Sequence, residues 1–487
     1  MRKTGRVLSR LALVVVVLWC GLWYLGRVTI SDRLDDGLAA LAAEGLEVRV
    51  GDHAISGFPF GYTARLTDVS LAEIGTAGPS VSLPHLTGEV HVAAPDEVVA
   101  RFPESFDLAL PTAQGAEPRR VAVASEGLSL TAGGLAGSER VARLSAERID
   151  MTEARAAGRL EAAVTRLAAR AAQPEGEGPA GAAEAETLSV TYAMPAPRGG
   201  QVTLEARLEA ARLTGASDMA GPEDIARMLG GLSRGPGKAE TALDGARLVL
   251  TVTAKGTGPA SDGRFELTGG PVEIGLAVAD GNMEARLALD AAEWRLEMPG
   301  RALSGRVATG PLTARYAMPL GPSEALQPVA VELEVAGAEP DGALWEALDP
   351  GGALPRGPLA LMLDVEGTAR LTKPFAAARP GEAPPVVPGT LSLRAARLTG
   401  LGAAAEAEGA VEFTSGQAPT GSVTVTFEGA IALLRRLSQA GLIGPAELQT
   451  LALGLAGYTV RGTEPGTLET RLSLDRGRLA INGDPVR

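Results

Sequence analysis

Apolar and polar residues take turns along most of this chain. "LEVRV" (Leu46 to Val50), "YTARLTDVSLA" (Tyr62 to Ala72), "PVAVELEVAG" (Pro328 to Gly337), "LALMLDVEGTARL" (Leu359 to Leu371) and "GSVTVTFEG" (Gly421 to Gly429) all alternate with period two. That is the signature of strands with one face toward a core and one toward water. In the longest run, "RFELTGGPVEIGLAVADGNMEARLALDAAEWRLEMPG" (Arg264 to Gly300), Gly, Asp-Gly or Pro tokens recur about every eight to twelve residues, which predicts successive antiparallel strands instead of strand-helix-strand units. One face of such a sheet is apolar and the other carries Arg, Glu and Thr, so each strand needs something to cover its apolar side. The predicted fold class is mainly β: extended, curved antiparallel sheets with a few α-helices.

Helical spacing is the exception. "SDRLDDGLAALAAE" (Ser31 to Glu44) sets Leu34, Leu38 and Leu41 behind a Ser-Asp capping start. "PEDIARMLGGLSR" (Pro222 to Arg234), "DGALWEALDP" (Asp341 to Pro350) and the pair "AIALLRRLSQAGL" and "PAELQTLALGLAG" also read as helices. "AAQPEGEGPAGAAEAE" (Ala171 to Glu186) and "AARPGEAPPVVPG" (Ala377 to Gly389) have the Pro, Gly and acid bias of loops or linkers. Two windows repeat weakly, "LSVTYAMP" (Leu188 to Pro195) and "LTARYAMP" (Leu312 to Pro319). A duplicated module would explain them; strands of similar composition converging on a Pro ending explains them better, because Pro stops a ladder.

The first thirty residues break the pattern. "LALVVVVLWCGLWYLG" (Leu11 to Gly26) carries no charge and lies between Arg10 and Arg27. Sixteen residues at about 1.5 Å each reach roughly 24 Å, and the flanking apolar residues with snorkelling arginines extend that toward a hydrocarbon core of about 30 Å. Arg2, Lys3, Arg6 and Arg10 on the N-terminal side orient the segment with its tail in the cytoplasm. A signal peptide would be cut after small residues, whereas "WYLGRVTI" is bulky, so the segment reads as a retained signal anchor. Leu11 and Leu18 would lie in the core, with Trp19, Trp23 and Tyr24 near the outer interface. The organisation expected is a tail (1–10), a transmembrane anchor (11–30), a membrane-proximal helix and β-rich domain (31–170), a low-complexity linker (171–187) and a second β-rich region with a helix pair near its end (188–487). The localisation that follows is a bacterial inner membrane with most of the chain periplasmic.

Composition narrows the function classes. The net charge is −13, with no concentrated basic stripe, which disfavours nucleic acid. Cys20 is the only cysteine and falls inside the apolar segment, so an exported body has no disulfide, no thiolate metal site and no Cys nucleophile. Aromatic residues make up 3% of the chain, which leaves a core of Leu and Val spread thinly.

Motifs for catalysis are weak. His85 and His91 are six apart in "HLTGEVH" with only Glu89 as a nearby third ligand, and with His53 they read as exposed histidines. "LSRGPGKAE" lacks the first Gly and the Ser or Thr of a phosphate loop. The acid pairs Asp35-Asp36 and Glu406/Glu408 sit in solvated-face patterns. No catalytic residue, cofactor or metal is expected, and an enzyme is disfavoured.

Against this scarcity of rings, "ISGFPFGY" (Ile55 to Tyr62) gathers three between two strands. Gly57 permits a turn, Pro59 fixes its own φ and holds Phe58 extended, and Phe58 and Phe60 can then fold onto a sheet face. A plug for the membrane-proximal sheet end and a contact with the outer leaflet are the two readings; the turn context favours the plug.

An anchor, a short helix, then Ser56, Gly57, Phe58, Pro59 and Phe60 followed by "LTDVSL" resembles the start of the uncharacterised proteobacterial envelope family known as domain of unknown function 2125. "LWEALDPGGALPRGPLALMLDVEGTARLTKPF" (Leu344 to Phe375) and the C-terminal helix pair with its closing strands are similar to the same family, and the ending is distantly similar to AsmA-type inner-membrane-anchored proteins. The resemblance implies an anchored envelope protein and brings no assigned activity. The expected function is therefore envelope maintenance by binding or guiding a lipid or other amphiphile. A scaffold within an envelope protein complex is the alternative, and a periplasmic enzyme a more remote one.

Overall fold

The structure, a computed structural model, describes residues 23–24, 26–31, 34, 46–58, 61–73, 80–91, 93–110, 118–134, 140–155, 158–173, 180–196, 199–217, 239–257, 262–279, 281–301, 303–373, 385–414, 418–462, 466–475 and 477–485. Nearly all regular structure among them is antiparallel β, as the alternation predicts. The chain divides into two compact units, with the boundary between Leu188 and Ser189.

In the first unit the strands are β1 (Leu46–Arg49), β2 (Asp52–Ser56), β3 (Gly61–Glu73), β4 (Ser80–His91), β5 (Ala94–Arg101), β6 (Ser105–Leu110), β7 (Arg119–Glu126), β8 (Ser129–Gly133), β9 (Arg140–Arg155) and β10 (Gly158–Gln173). β11 (Ala180–Pro195) spans the boundary in sequence. The long strands β3 and β4 pair directly, as do β9 and β10. Between β4 and β9 the ladder runs as two columns, β5 with β8 and β6 with β7. Each column strand continues in line into its neighbour across a short break at residues 102–104 or 127–128. Phe102 N donates to Leu128 O and Ser125 N to Glu104 O across these breaks. The core lies beside them: Leu66, Val69 and Leu83 are buried, with Leu34, Val50, Phe102 and Phe106 packed around them.

The second unit repeats the device on a larger scale. β12 (Gln201–Ser217) pairs with β13 (Ala239–Gly245) at one end and β14 (Arg247–Lys255) at the other. Two columns follow, made of β15 (Gly263–Gly269), β16 (Val272–Ala279), β17 (Asn282–Leu289), β18 (Ala292–Met298), β19 (Leu303–Thr309) and β20 (Leu312–Pro319). β14, β15, β18 and β19 form one column; β13, β16, β17 and β20 form the other. Both columns rejoin on β21 (Gln327–Pro340). From there an unbroken ladder continues through β22 (Leu359–Leu371), β23 (Val386–Gly400), β24 (Ala403–Glu412), β25 (Thr420–Glu428) and β27 (Thr467–Asp475), with β26 (Val460–Arg461), β28 (Arg478–Ile481) and β29 (Asp484–Pro485) completing it.

Some of the tokens that read as turns are therefore breaks within collinear strands. Gly270-Pro271, Asp290-Ala291 and Gly310-Pro311 interrupt the ladder without reversing the chain. Proline has no N–H to offer the ladder, so the register restarts beyond it. The rows flanking the breaks hold the buried residues of this part: Val272, Leu289 and Leu312 on one side, Leu267, Ala292 and Thr309 on the other. Burial in this part of the sheet is thus concentrated along the line of the breaks.

Three helices belong to this unit among the described residues: α1 (Gly342–Leu348), α2 (Ala430–Gln439) and α3 (Pro445–Tyr458). α1 starts where Asp341 Oδ1 accepts from Leu344 N at 2.9 Å. Its Leu344 and Trp345 are buried, packed over β19, where a side chain on Gly305 would come within 2.6 Å of Leu344 Cβ. The carboxylate of Asp349, fully buried, accepts from Ala353 N at 3.0 Å and Leu354 N at 2.7 Å and so fixes the return loop.

Three sequence expectations meet strands or lie outside the described residues. Residues 171–173 finish β10 and residues 180–187 open β11, because "AGAAEAET" alternates in burial as a strand does; the linker expected over 171–187 thus narrows to residues 174–179, outside the described residues. The helix expected over 222–234 lies outside them too. Among the described residues no helix is long and apolar enough to cross a membrane; Leu11, Leu18 and Trp19 are not among them.

Candidate functional site

The most unusual surface is the apolar face of the second unit's ladder. Strand pairing aligns Leu276, Ala285, Tyr316, Val331, Val365 and Leu393 in one row, and Leu312, Val335, Leu361 and Leu398 in another. Along the line of the breaks this face is buried at Val272, Leu289 and Leu312. Beyond it Leu276, Tyr316, Val331, Leu361, Leu391 and Leu398 are 36–56% exposed on successive strands. A single exposed leucine is ordinary; several on one face over several strands mark a surface that something else covers.

The opposite face is charged and laced with ion pairs. Arg286 and Arg315 sit directly opposite one another, and Arg315 is opposite Glu332, which is opposite Asp364. Glu284 accepts from Arg286 Nε at 2.6 Å and from Arg315 Nε at 3.0 Å, and Glu332 accepts from Arg315 Nη1 at 2.5 Å. Arg315's hydrogen bond holds the Glu284 carboxyl below its usual range, helped by Arg286 and opposed by desolvation. The two carboxylates in turn raise the Arg315 guanidinium. A groove of about 580 Å³ opens here, floored by Ala317, Ala330 and Gly367 and edged by Asn282, Glu366 and Thr368.

The same face contains the carboxylate group Glu332, Asp364 and Glu366, whose oxygens lie within 4.8 Å of one another. Arg315 already holds Glu332, and Arg394 holds Glu366 at 3.0 Å. Two of the three acids are thus committed to guanidinium partners, a structural use, while Asp364 Oδ1 is buried without a hydrogen-bond partner among the described residues. Similar pairs two residues apart recur on other strands, Arg148–Asp150, Arg264–Glu266 and Arg295–Glu293 among them, because residues i and i+2 share a face.

At the other unit's aromatic cluster, Gly57 takes φ +107°, the left-handed turn that the sequence calls for. Ser56 Oγ donates to Thr63 O at 3.4 Å. Phe58 is 49% exposed and meets Trp23 edge-on with centroids 5.6 Å apart. Trp23 also stacks on Tyr62 at 5.8 Å and donates from Nε1 to Gly61 O at 3.2 Å. The expectation had Phe58 folding onto a sheet face; it is the N-terminal helix, through Trp23, that it meets. Tyr24 is exposed, while Pro59 and Phe60 are outside the described residues. The partner Trp23 was singled out for the membrane interface, and nothing in its spacing of 35 residues from Phe58 announces the contact.

Other sequence candidates scatter. His53 Nε2 lies 3.2 Å from Ser31 Oγ. His85 and His91 share the unbroken β4, where six residues at about 3.4 Å each place them roughly 20 Å apart, too far for one metal. Glu406 pairs with Arg397 at 2.5 Å. Asp35, Asp36 and the segment around Lys238 lie outside the described residues.

Comparison with known families gives one match: a family model described as an uncharacterized protein conserved in bacteria (DUF2125) matches residues 23–486. No curated protein and no solved structure matches the chain.

Proposed function

Since this chain belongs to DUF2125, a family described only as uncharacterised, its surfaces have to supply the reading, and we propose that it is an envelope protein that binds or guides a lipid or other amphiphile along the apolar face of its second unit. The observation that carries this is the set of half-exposed side chains Leu276, Tyr316, Val331, Leu361, Leu391 and Leu398 spread over one face of the ladder. An acyl chain lying across these strands would cover aliphatic side chains without needing a hydrogen bond from them, and covering such surface is favourable in proportion to its area. The charged face behind keeps the same strands in water.

The N-terminal apolar segment, Leu11 to Gly26, is the membrane anchor in this reading, with its positive flank in the cytoplasm and the β-rich body in the periplasm of a bacterial inner membrane. Trp23 then has two roles, interfacial ring and tie to Phe58 and Tyr62. Native mass spectrometry of the detergent-purified full-length protein, followed by lipid extraction, tests the reading. Bound amphiphile released in stoichiometric amount supports it. A lipid-free protein recovered only in a complex with other envelope proteins would replace it with the scaffold reading.

A further inference from the structure

The α2–α3 hairpin raises a different question from the sheet. Neither helix contains a buried residue, although the two pack on each other and α2 also meets β24. In α3, Leu448 and Leu455 lie on the half-buried side, Leu451 and Tyr458 on one exposed flank, and Leu453, 65% exposed, points away from both. Positions 451 and 453 differ by about 200° around a helix, so exposed apolar side chains stand on two opposing flanks, with Thr450, Gly454 and Gly457 between them. Ile431 on α2 and Leu442 in the connecting turn extend the exposed set.

Apolar side chains exposed on two flanks of one helix leave both flanks to be covered. A protein partner would need one apolar stripe; leucines on opposing flanks suit a medium that wraps them. The charges agree. Residues 430–458 carry two cations, Arg435 and Arg436, against one anion, Glu447, on a chain of net charge −13. Glu447 caps its own helix by accepting from Gly444 N at 2.8 Å, and Arg436 donates to Leu401 O, which leaves Arg435 exposed to solvent.

We infer that this hairpin is a lipid-surface contact: it lays the flanks bearing Ile431, Leu442, Leu451, Leu453 and Tyr458 into the headgroup region of an anionic bilayer, with Arg435 among the phosphates. The inference stands apart from the proposed sheet-face function, since it uses none of the same residues.

The test uses the full chain with Cys20→Ser and Leu453→Cys carrying an environment-sensitive NBD label. It is mixed with vesicles of phosphatidylcholine alone or of phosphatidylcholine and phosphatidylglycerol in equal parts. A label on α3 reads the hairpin itself, whatever the N-terminal segment does. The expected result is a blue shift with protection from aqueous iodide, stronger on the anionic vesicles. Leu451→Asp with Tyr458→Asp should lower the partition about ten-fold or more, and Arg435→Glu should lower it roughly ten-fold on anionic vesicles only. Val331→Glu, which acts on the sheet face, should leave the shift unchanged. An unshifted label on both vesicle types overturns the inference, and so does a shift that grows with protein concentration without vesicles, which would mark a contact between two copies of the chain.

Discussion

Placing a carboxylate on the apolar face tests the sheet-face function most directly. Val331 and Leu361 are both 39% exposed and lie on adjacent strands. Fully burying such a side chain is worth about 1.5–3 kcal/mol, so covering the remaining two-fifths contributes roughly 0.6–1.2 kcal/mol each. Val331→Glu with Leu361→Glu forfeits about 1–2 kcal/mol of that and forces an acyl chain over two charges, so affinity should fall by at least about thirty-fold. Because both side chains already reach solvent, circular dichroism and the melting curve should barely move. Glu334→Gln, on the charged face of the same strand, serves as the matched control. The assay is displacement of a fluorescent fatty-acid probe, read beside the lipid count from native mass spectrometry. If the double variant holds the probe within about two-fold of wild type, the apolar row is not where an amphiphile lies, and the argument fails.

Three further outcomes are expected. Asp349→Ala should leave the Ala353 and Leu354 amides without their acceptor in a buried loop and cost about 2–4 kcal/mol in chemical denaturation, with Asp349→Asn recovering part of it. Glu284 and Asp341 have carboxyl groups held low, by Arg315's hydrogen bond and by Leu344 N respectively, so their stabilisation is present above the ordinary carboxylate range of about 4 and is lost as pH falls through the lowered values. Denaturation midpoints should therefore drop on acidification below about pH 4, less steeply in Glu284→Gln; an equal slope would deny the pair this role. Gly57→Ala would place a Cβ 2.9 Å from Gly61 O at φ +107° and should destabilise the first unit by about 1–3 kcal/mol, seen as a lowered melting temperature with altered tryptophan emission as Trp23 loses Phe58.

Strand identity was legible because alternation needs no tertiary information: "PVAVELEVAG" and "GSVTVTFEG" fall on β21 and β25, and "DGALWEALDP" shows its helix through a capping Asp341. What could not be read was connectivity. Gly281 lies at a hairpin between β16 and β17, while Gly270-Pro271 and Gly310-Pro311 sit inside collinear runs, yet all three look like turns, because the distinction depends on which strands flank them in space. Acid-rich "AGAAEAET" passed for a linker because its alternating residue is alanine, too small to register as an apolar stripe. At the candidate site, the two faces were implied by composition. Their exposure was not, since whether Val331 is covered depends on packing that no local pattern encodes.

The aligned interruptions have a consequence for how such a sheet tolerates change. In a continuous strand, gaining or losing one residue reverses every later side chain between oil and water. Here each half-strand starts its count afresh, at Ala246, Gly270-Pro271, Asp290-Ala291 and Gly310-Pro311. A length change in one half should scramble only that half, as a firebreak confines damage to one side. A protein this dependent on strict alternation can thus accumulate insertions without losing the inside-outside order of its far side.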